Sequence, residues 1–281
     1  MDCLFVSDLH GKKDRYRKLF EIINERKPDS VLIGGDLLPL DIRLKSKVKQ
    51  FFENNLFKKI RDIKNESKEK INFYIIMGND DPKIYEKYLL GAQKGGLINY
   101  INNRSVKSND IYITGYSYIP PSPFQLKDWE KYDVSRYVDI GAISPEKGGR
   151  SVKIPDNEIK YSTIKKDLER LVKKSPPERT IYLFHSPPYE TNLDRADLDG
   201  KKIDHVPIDI HVGSIAIKRF IKEKQPLLTL HGHVHETVEM TGSWKERIGD
   251  TYCFTAAHNG PELAVIEFNT DDLDKAERLL V

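Results

Sequence analysis

The chain has 281 residues, of which 38% are hydrophobic and 32% are charged, a balance that supports a folded core and excludes disorder throughout the chain. Its 46 Lys and Arg residues nearly match its 43 Asp and Glu residues, and a net charge of +3 gives no electrostatic reason to expect a nucleic-acid or membrane binder. Two cysteines, Cys3 and Cys253, are too few for a disulfide framework or a thiolate zinc site.

Short apolar runs that predict strands alternate with segments whose apolar residues recur at helical spacing. Runs this short and continuously apolar are typical of strands buried on both faces. In chain order, the predicted elements are a strand at residues 3–6, a helix at 16–23, strands at 31–33 and 73–77, a helix at 164–172, a strand at 180–184, a helix at 215–221 after a candidate cap at Ser214, and strands at 227–230, 251–255 and 263–268.

Residues 116–156 interrupt this alternation because they are rich in Pro, Gly, Tyr and charged side chains. We expect a loop-rich excursion over the surface, and loops this long in a compact domain are usually functional or mobile. The overall length is compatible with one α/β domain, so we expect residues 1–281 to form a single domain.

The apolar runs also bear on localisation. None approaches the roughly 20 residues that cross a bilayer, and the first eight residues turn polar after a short apolar run instead of forming a secretion signal. We therefore expect a soluble, cytoplasmic protein that does not contact membranes.

Strands that alternate with helices predict an α/β fold with a largely parallel core. Polar residues follow directly after the predicted strands, which is the edge where open α/β sheets bind ligands. These polar residues can therefore converge on one site, and they are Asp8, His10, Asp36, Asn79, His185, His233 and His235.

These seven residues supply oxygen and nitrogen donors without sulfur, a set that suits Mn, Fe, Zn or similar divalent ions. Asp8 and His10 are two residues apart, so in an extended segment both side chains point the same way, and His233 and His235 repeat this spacing. Seven donors exceed the need of one tetrahedral ion and suit two ions that share a carboxylate. Two ions about 3.5–4 Å apart can hold a hydroxide and clamp both oxygens of an in-line displacement at phosphorus. We expect manganese, with Fe, Zn, Ni or Co as alternatives.

Five motifs stand in order along most of the chain, and they are Asp8-x-His10, Gly35-Asp36, Gly78-Asn79-x-Asp81, His185 and Gly232-His233-x-His235. Each alone is a weak signal, since Gly-Asp and Gly-Asn pairs are common in turns. Together, each after an apolar run, they resemble the calcineurin-like metallophosphoesterase family.

The resemblance implies a four-layer αββα sandwich in which two mixed sheets face each other and helices cover the outside. It also implies that Asp36 bridges two metals. One metal would be held by Asp8, His10, Asp36 and His235, and the other by Asp36, Asn79, His185 and His233. The implied activity is hydrolysis of phosphate esters by a metal-bridging hydroxide, with Asp36 and Asn79 in catalytic positions.

One position departs from the family pattern. Much of the family has a histidine after the asparagine that protonates the leaving group or binds phosphate, whereas this chain has Asp80. An aspartate with its usual pKa of about 3.9 is ionised at neutral pH and would repel phosphate. Either burial or Asp81 raises the pKa of Asp80, or another group is the acid, or the leaving group needs none. We therefore favour a phosphodiester or pyrophosphate substrate over an alkyl monoester.

Several further residues are candidates near this site. Arg195 is a candidate phosphate ligand through its planar guanidinium. His211 and His231 are candidate replacement acids, and His211 is also a candidate substrate-binding residue. The Gly-Asn-Asp-Asp sequence at 78–81 and the His-Val-Gly-Ser sequence at 211–214 resemble those of a subgroup of the family whose substrate the resemblance does not supply.

The expected partner is a small phosphate ester, with nucleotide-like molecules among the options. An alternative is a manganese-dependent nuclease, because repair nucleases share these motifs, but a near-neutral chain without a basic, aromatic-lined tract argues against nucleic acid as a partner. A second alternative is a catalytically weak, metal-bound scaffold, which the loss of the usual histidine leaves open. The oligomeric state does not follow from the sequence.

Overall fold

This computed structural model describes residues 1–39, 45–66 and 70–281. Its strands build two six-stranded sheets and a short hairpin. In chain order the strands are β1 (Asp2–Val6), β2 (Ser30–Ile33), β3 (Asn72–Ile75), β4 (Asn99–Tyr100), β5 (Ser105–Ser108), β6 (Ile111–Tyr116), β7 (Thr180–Phe184), β8 (Lys202–Ile203), β9 (Val206–Pro207), β10 (Leu228–His231), β11 (Lys245–Ile248), β12 (Thr251–Thr255), β13 (Ala264–Asn269) and β14 (Asp272–Leu280).

Both large sheets are mixed, with parallel strands at their centres. The first has the order β14-β13-β1-β2-β3-β4, in which β1 to β4 are parallel and β13 runs antiparallel to both β1 and β14. The second has the order β11-β12-β10-β7-β6-β5, in which only the edge strands β11 and β5 are antiparallel. The predicted parallel core is therefore confirmed, and antiparallel strands extend each sheet.

Alternating side chains divide the core into an inner and an outer part. Phe5 and Leu32 of the first sheet pack with Leu183 and Leu230 of the second in one buried cluster between the sheets. Their sequence neighbours point the other way and pack against helices. Because successive residues of a strand face opposite sides, strands that are apolar at every position are buried on both faces, as the sequence predicted.

Helices cover the outer faces and complete the four-layer αββα sandwich. Phe220 of the last long helix packs edge-on against Tyr182 of the second sheet, with 4.9 Å between the ring centroids. The predicted cap is present, because Ser214 Oγ accepts a hydrogen bond from the backbone N–H of Ile217 at 3.1 Å. The helices are α1 (Lys13–Arg26), α2 (Lys45–Phe52), α3 (Lys58–Glu66), α4 (Glu86–Lys94), α5 (Asp156–Tyr161), α6 (Ile164–Leu171), α7 (Ile215–Lys224) and α8 (Thr237–Thr241).

The segment of residues 117–155 between β6 and α5, called the 117–155 segment below, has no helix or regular strand. Its middle is nevertheless buried, because Lys127 Nζ donates to Glu130 Oε2 at 2.6 Å and both side chains are fully enclosed. Trp129 is also fully buried, and its Nε1–H donates to the backbone oxygen of Asp81 at 2.7 Å. The expectation of a purely superficial excursion is therefore wrong for the middle of this segment.

A second long segment, residues 185–214 between β7 and α7, contains only the small β8–β9 hairpin as regular structure. We call it the 185–214 segment. Within residues 1–39, 45–66 and 70–281, no helix combines the length and the apolar character that crossing a membrane requires.

Candidate metal centre

The candidate ligands stand at the carboxyl ends of parallel strands from both sheets. In the first sheet, β1, β2 and β3 are adjacent and parallel, so the residues that follow them meet at one edge. In the second sheet, β7 and β10 are likewise adjacent and parallel. The sandwich brings the two edges together, and the residues that follow these strands are Asp8 and His10, Asp36, Asn79, His185, and His233 and His235.

A first group of donors comprises Asp8, His10, Asp36 and His235, which offer ligand atoms that all lie within 4.8 Å of one another. The Nε2 atoms of His10 and His235 are 2.9 Å apart. Nε2 of His235 lies 3.4 Å from Asp8 Oδ1, and Nε2 of His10 lies 3.9 Å from Asp36 Oδ2. This group could therefore hold a metal ion.

The second group is centred on His185, whose orientation is fixed on both sides. Its Nδ1–H donates to the backbone oxygen of Gly34 at 2.8 Å, so Nε2 of the neutral ring is an acceptor. That Nε2 lies 2.9 Å from Asn79 Oδ1 and 3.3 Å from Asp36 Oδ2. The Asn79 amide has its oxygen on this side because its nitrogen donates to Asp80 Oδ1 at 3.0 Å. Three acceptor atoms thus converge, an arrangement that requires a proton or a cation between them.

The pKa values of the cluster also indicate that positive charge is favourable here. Burial favours the neutral form of His185, but the carboxylates of Asp36 and Asp8 raise its pKa to about 10. Burial likewise opposes ionisation of Asp36 and Asp8, yet the neighbouring histidines lower the pKa of both carboxyl groups. Burial and His185 lower the pKa of His233 to about 3, so His233 is a neutral donor ready to bind a metal.

The backbone of the ligand loops is strained. Asp8, His10, Asp36 and His233 have φ angles of 56°, 46°, 51° and 73°, in the left-handed region that disfavours residues with a Cβ. Such strain costs about 1–3 kcal/mol per residue and clusters at functional sites. Gly78 allows the loops to close in, because a Cβ there would lie 2.2 Å from Asp36 Oδ1.

Asp81 holds the Asp36 loop in place, a role that the sequence analysis did not assign. Its carboxylate accepts hydrogen bonds from the backbone N–H groups of Leu37, Leu38 and Gly78, at 2.8 to 3.0 Å. The Asp81 side chain is fully buried and takes no part in either donor group. Its place in the Gly78-Asn79-x-Asp81 motif was the sequence feature that could have indicated a role near the centre.

Asp80 lies at the edge of the centre. Its backbone N–H donates to Asp36 Oδ1 at 2.8 Å, and Oδ2 lies 3.6 Å from His10 Nδ1. Burial, with a further contribution from Asp36, raises the pKa of Asp80 to about 7. The sequence suggested that either burial or Asp81 raises the pKa of Asp80. Burial is the larger cause, and the neighbouring carboxylate that adds to it is Asp36 and not Asp81.

A cavity of about 370 Å³ opens beside the centre. Asp36, Asn79, Asp80, His233 and His235 line one end, and the remaining walls come from the 117–155 and 185–214 segments. The lining also includes His211, the candidate acid and substrate-binding residue.

The orientation of His211 is fixed by a buried carboxylate. Its Nδ1–H donates to Asp194 Oδ1 at 2.8 Å, and Asp194 also accepts from the backbone N–H groups of Glu190, Thr191 and Gly213. Within the described residues, Nε2 of His211 has no hydrogen-bond partner, and the side chain is 23% exposed. Asp194 was missed in the sequence because nothing in its spacing relates it to His211.

The structure contradicts the expected acid role of His231. Its ring is fully buried, Nδ1–H donates to Ser186 O at 2.9 Å, and Nε2 accepts from Thr229 Oγ1 at 2.8 Å. Burial lowers the pKa of His231 to about 4, so the ring is neutral, has both nitrogens satisfied and is absent from the cavity lining. His231 supports the end of its strand.

Arg195 also lies away from the expected position. Its Nη2 donates to both carboxylate oxygens of Asp199, at 2.7 and 2.8 Å, and Arg195 is not among the residues that line the cavity. The structure therefore does not support Arg195 as a phosphate ligand.

Comparisons with known proteins agree with this geometry. A model of the calcineurin-like phosphoesterase family matches residues 1–237. Similar solved structures include TT1561 of Thermus thermophilus, which has 17% identity and a TM-score of 0.59, with 99% of this chain and 98% of that chain covered. Another is a dimetal phosphatase from Danio rerio, which has 11% identity and a TM-score of 0.56, with 100% and 98% covered. At these identities the structures support the fold alone. No curated protein matches the chain in sequence.

Proposed function

The chain belongs to the calcineurin-like phosphoesterase family, and from that premise we propose that it is a dinuclear metal-dependent hydrolase of phosphodiester or pyrophosphate bonds. The observation that carries the proposal is the convergence of acceptor atoms from Asp36, Asn79 and His185, at 2.9 and 3.3 Å from the histidine nitrogen. Asp36 lies within reach of both donor groups, as a bridging carboxylate must.

The donor set fits two divalent ions without sulfur ligands, with manganese the first choice and Fe, Zn, Ni or Co as alternatives. Bound ions would supply Lewis acidity toward water and the phosphate oxygens. Asp8, His10, Asp36 and His235 would hold one ion. Asp36, Asn79, His185 and His233 would hold the other.

Asp80 supports the choice of a diester or pyrophosphate. It lines the cavity next to Asp36 and Asn79, in the position where a histidine would otherwise face the substrate. A carboxyl group there offers no positive charge to a phosphate dianion, and bound cations would favour its ionised form. A diester or pyrophosphate has a more stable leaving group than an alkyl monoester and depends less on an acid.

His211 is the proton donor that the geometry favours over Asp80 and His231. Asp194 Oδ1 accepts from the Nδ1–H of its ring, which leaves Nε2 to face a ligand in the cavity. The acid form would be the doubly protonated ring, which carries a second proton on Nε2 and whose charge the Asp194 carboxylate would balance. A general acid must reach the leaving group by hydrogen bonding, and His211 shares the cavity with Asp36 and His235. Its role would be to donate a proton to the departing oxygen.

The cavity lining argues against a nuclease. Among the described residues that line it, none is Lys or Arg, whereas proteins that follow a nucleic-acid backbone use positively charged grooves. Incubation with single- and double-stranded DNA and Mn²⁺ tests this directly, and we expect no digestion.

Turnover of bis(p-nitrophenyl) phosphate with Mn²⁺, measured with and without EDTA, tests the proposed function. We expect hydrolysis that EDTA abolishes and that exceeds the rate on alkyl monoesters. A faster rate on alkyl monoesters would contradict the diester proposal, and bound metal without turnover of any ester would favour a scaffold.

A further inference from the structure

The cavity beside the metal centre has two ends of different chemistry. The polar end carries the ligands Asp36, Asn79, His233 and His235. The opposite walls are mostly apolar, and they come from two segments that are far apart in sequence. The apolar wall residues are Pro120, Pro121, Pro123, Phe124, Ile140 and Ala142 of the 117–155 segment and Ala196, Leu198, Ile203, Ile208 and Val212 of the 185–214 segment.

Large apolar side chains at this end are unusually exposed. Phe124 is 50% exposed, Ile140 43% and Ile203 39%. Single exposed apolar residues are normal on a protein surface, but these three line one cavity. Each exposes apolar area whose removal from water is favourable by about 25 cal/mol per Å². A ligand that covered them would gain this hydrophobic free energy.

The two walls approach each other at Gly141 and Ile203. A Cβ at Gly141 would lie 2.8 Å from Ile203 Cδ1, and Gly141 has a φ of 88°. The absence of a side chain at this position therefore lets the 117–155 segment approach the β8–β9 hairpin. The apolar end is therefore a recess between the 117–155 and 185–214 segments and not a flat surface patch.

The size and continuity of the cavity indicate what fills it. A volume of about 370 Å³ lies in the range of small-molecule sites, which are mostly apolar with a few placed polar groups. The polar end would hold the phosphate, so the apolar end receives another part of the same molecule. Among the described residues, Asp139, Asp209 and Glu236 also line the cavity and no Lys or Arg does. The lining therefore offers no charge partner to an anion, so this part of the molecule is not anionic.

We propose that this recess is a subsite for an apolar group esterified to the substrate phosphate, so that the substrate is a phosphate ester with a large aliphatic or aromatic substituent. The inference rests on the proposed function and extends it by naming the substrate class. Phe124, Ile140, Ile203 and Ile208 would bind the apolar group while the metal centre holds the phosphate.

A series of p-nitrophenyl phosphodiesters whose second ester group is methyl, butyl, hexyl or phenyl tests the proposal. Burial of each methylene would raise kcat/KM by about two- to fourfold until the recess is filled, and comparison of hexyl with phenyl distinguishes an aliphatic from an aromatic preference. A kcat/KM that is flat or falls from methyl to hexyl and phenyl would overturn the proposal. Failure to turn over any ester would instead overturn the proposed function.

Binding provides a readout that needs no turnover. We expect octylphosphonate to bind more tightly than methylphosphonate in calorimetry, with a more negative heat-capacity change, because apolar burial has that signature. Equal affinities and equal heat-capacity changes would overturn the subsite even if the enzyme were active.

A matched pair of substitutions locates the effect. Ile203 lines the recess and Leu90 lies on α4 away from it, and both side chains are 39% exposed. Ile203→Asn should reduce the dependence of kcat/KM on chain length, whereas Leu90→Asn should preserve it. Equal chain-length dependence in the two variants would contradict the assignment of Ile203 to the subsite.

Discussion

Asp36 is the single residue on which both donor groups depend. Its Oδ2 atom lies 3.9 Å from His10 Nε2 of the first group and 3.3 Å from His185 Nε2 of the second. Asp36→Asn would remove the charge and one bridging oxygen, so we expect loss of turnover and a lower metal content by elemental analysis.

Asp80→Asn is the control for this substitution. Asp80 accepts from the Asn79 amide, which an asparagine oxygen can also do, and Asp80 is not a proposed ligand. We expect this variant to keep its metal. A wild-type rate for Asp36→Asn would refute the bridging assignment.

His211 gives a second prediction, because a proton donor matters most for poor leaving groups. His211→Asn should slow esters with alkyl leaving groups by about 10²-fold or more and slow p-nitrophenyl esters much less. His205→Asn is the control, because His205 is exposed in the turn between β8 and β9 with a φ of 68°, a conformation that asparagine tolerates. Equal losses on both classes of ester would remove His211 as the acid.

The sequence predicted the candidate ligands, because each of them follows a strand. It did not predict the roles of residues whose surroundings are set by tertiary contacts. His231 was misinterpreted, since its place one residue before Gly232 does not show that both ring nitrogens are satisfied inside the protein. Asp194 was invisible for the converse reason, because only the fold brings it to His211.

Among the elements, central strands were predictable and edge strands were not. After their first residues, which are Asp2, Ser30 and Thr180, the strands β1, β2 and β7 are apolar and buried on both faces. The edge strands β11 and β14 are rich in charged residues, as exposed edges often are, so no apolar run marks them. The pattern of apolar runs therefore predicted only the parallel core, and the mixed sheets were predicted from the family resemblance.

Asp133 links the 117–155 segment to the start of α7. Its carboxylate accepts from Ser214 Oγ at 2.6 Å and from the backbone N–H groups of Ile215 and Ala216, at 2.7 and 3.2 Å. Asp133→Ala would leave these donors unsatisfied, so we expect the free energy of unfolding in urea to fall by about 1–3 kcal/mol.

Asp156→Ala is the matched control for the Asp133 substitution. Asp156 is exposed in the first turn of α5, where an acidic residue contributes about 0.3–1 kcal/mol. If Asp133→Ala destabilised the protein no more than Asp156→Ala, the link would be energetically unimportant.

In the whole molecule, the donor set joins the two sheets. Asp8, His10, Asp36 and Asn79 follow strands of the first sheet, and His185, His233 and His235 follow strands of the second. Face-to-face packing of two sheets depends on contacts between distant segments, so spacing alone could not predict it. Metal bound by both edges would connect the two halves of the sandwich.

This connection predicts a metal-dependent stability. A ligand that binds only the folded state at 100 times its dissociation constant stabilises it by about 2.7 kcal/mol, so Mn²⁺ should raise the melting temperature by several degrees and EDTA should reverse the shift. Asp36→Asn should show a smaller shift. An unchanged melting temperature at saturating Mn²⁺ would contradict a site shared by both sheets.

Crystals grown with saturating Mn²⁺ and measured for anomalous scattering would locate the bound ions. We expect two manganese peaks about 3.5–4 Å apart, both next to the Asp36 carboxylate, with His10 and His235 at one peak and His185 and His233 at the other. A single peak, or peaks away from Asp36, would contradict the dinuclear centre and the hydrolase built on it.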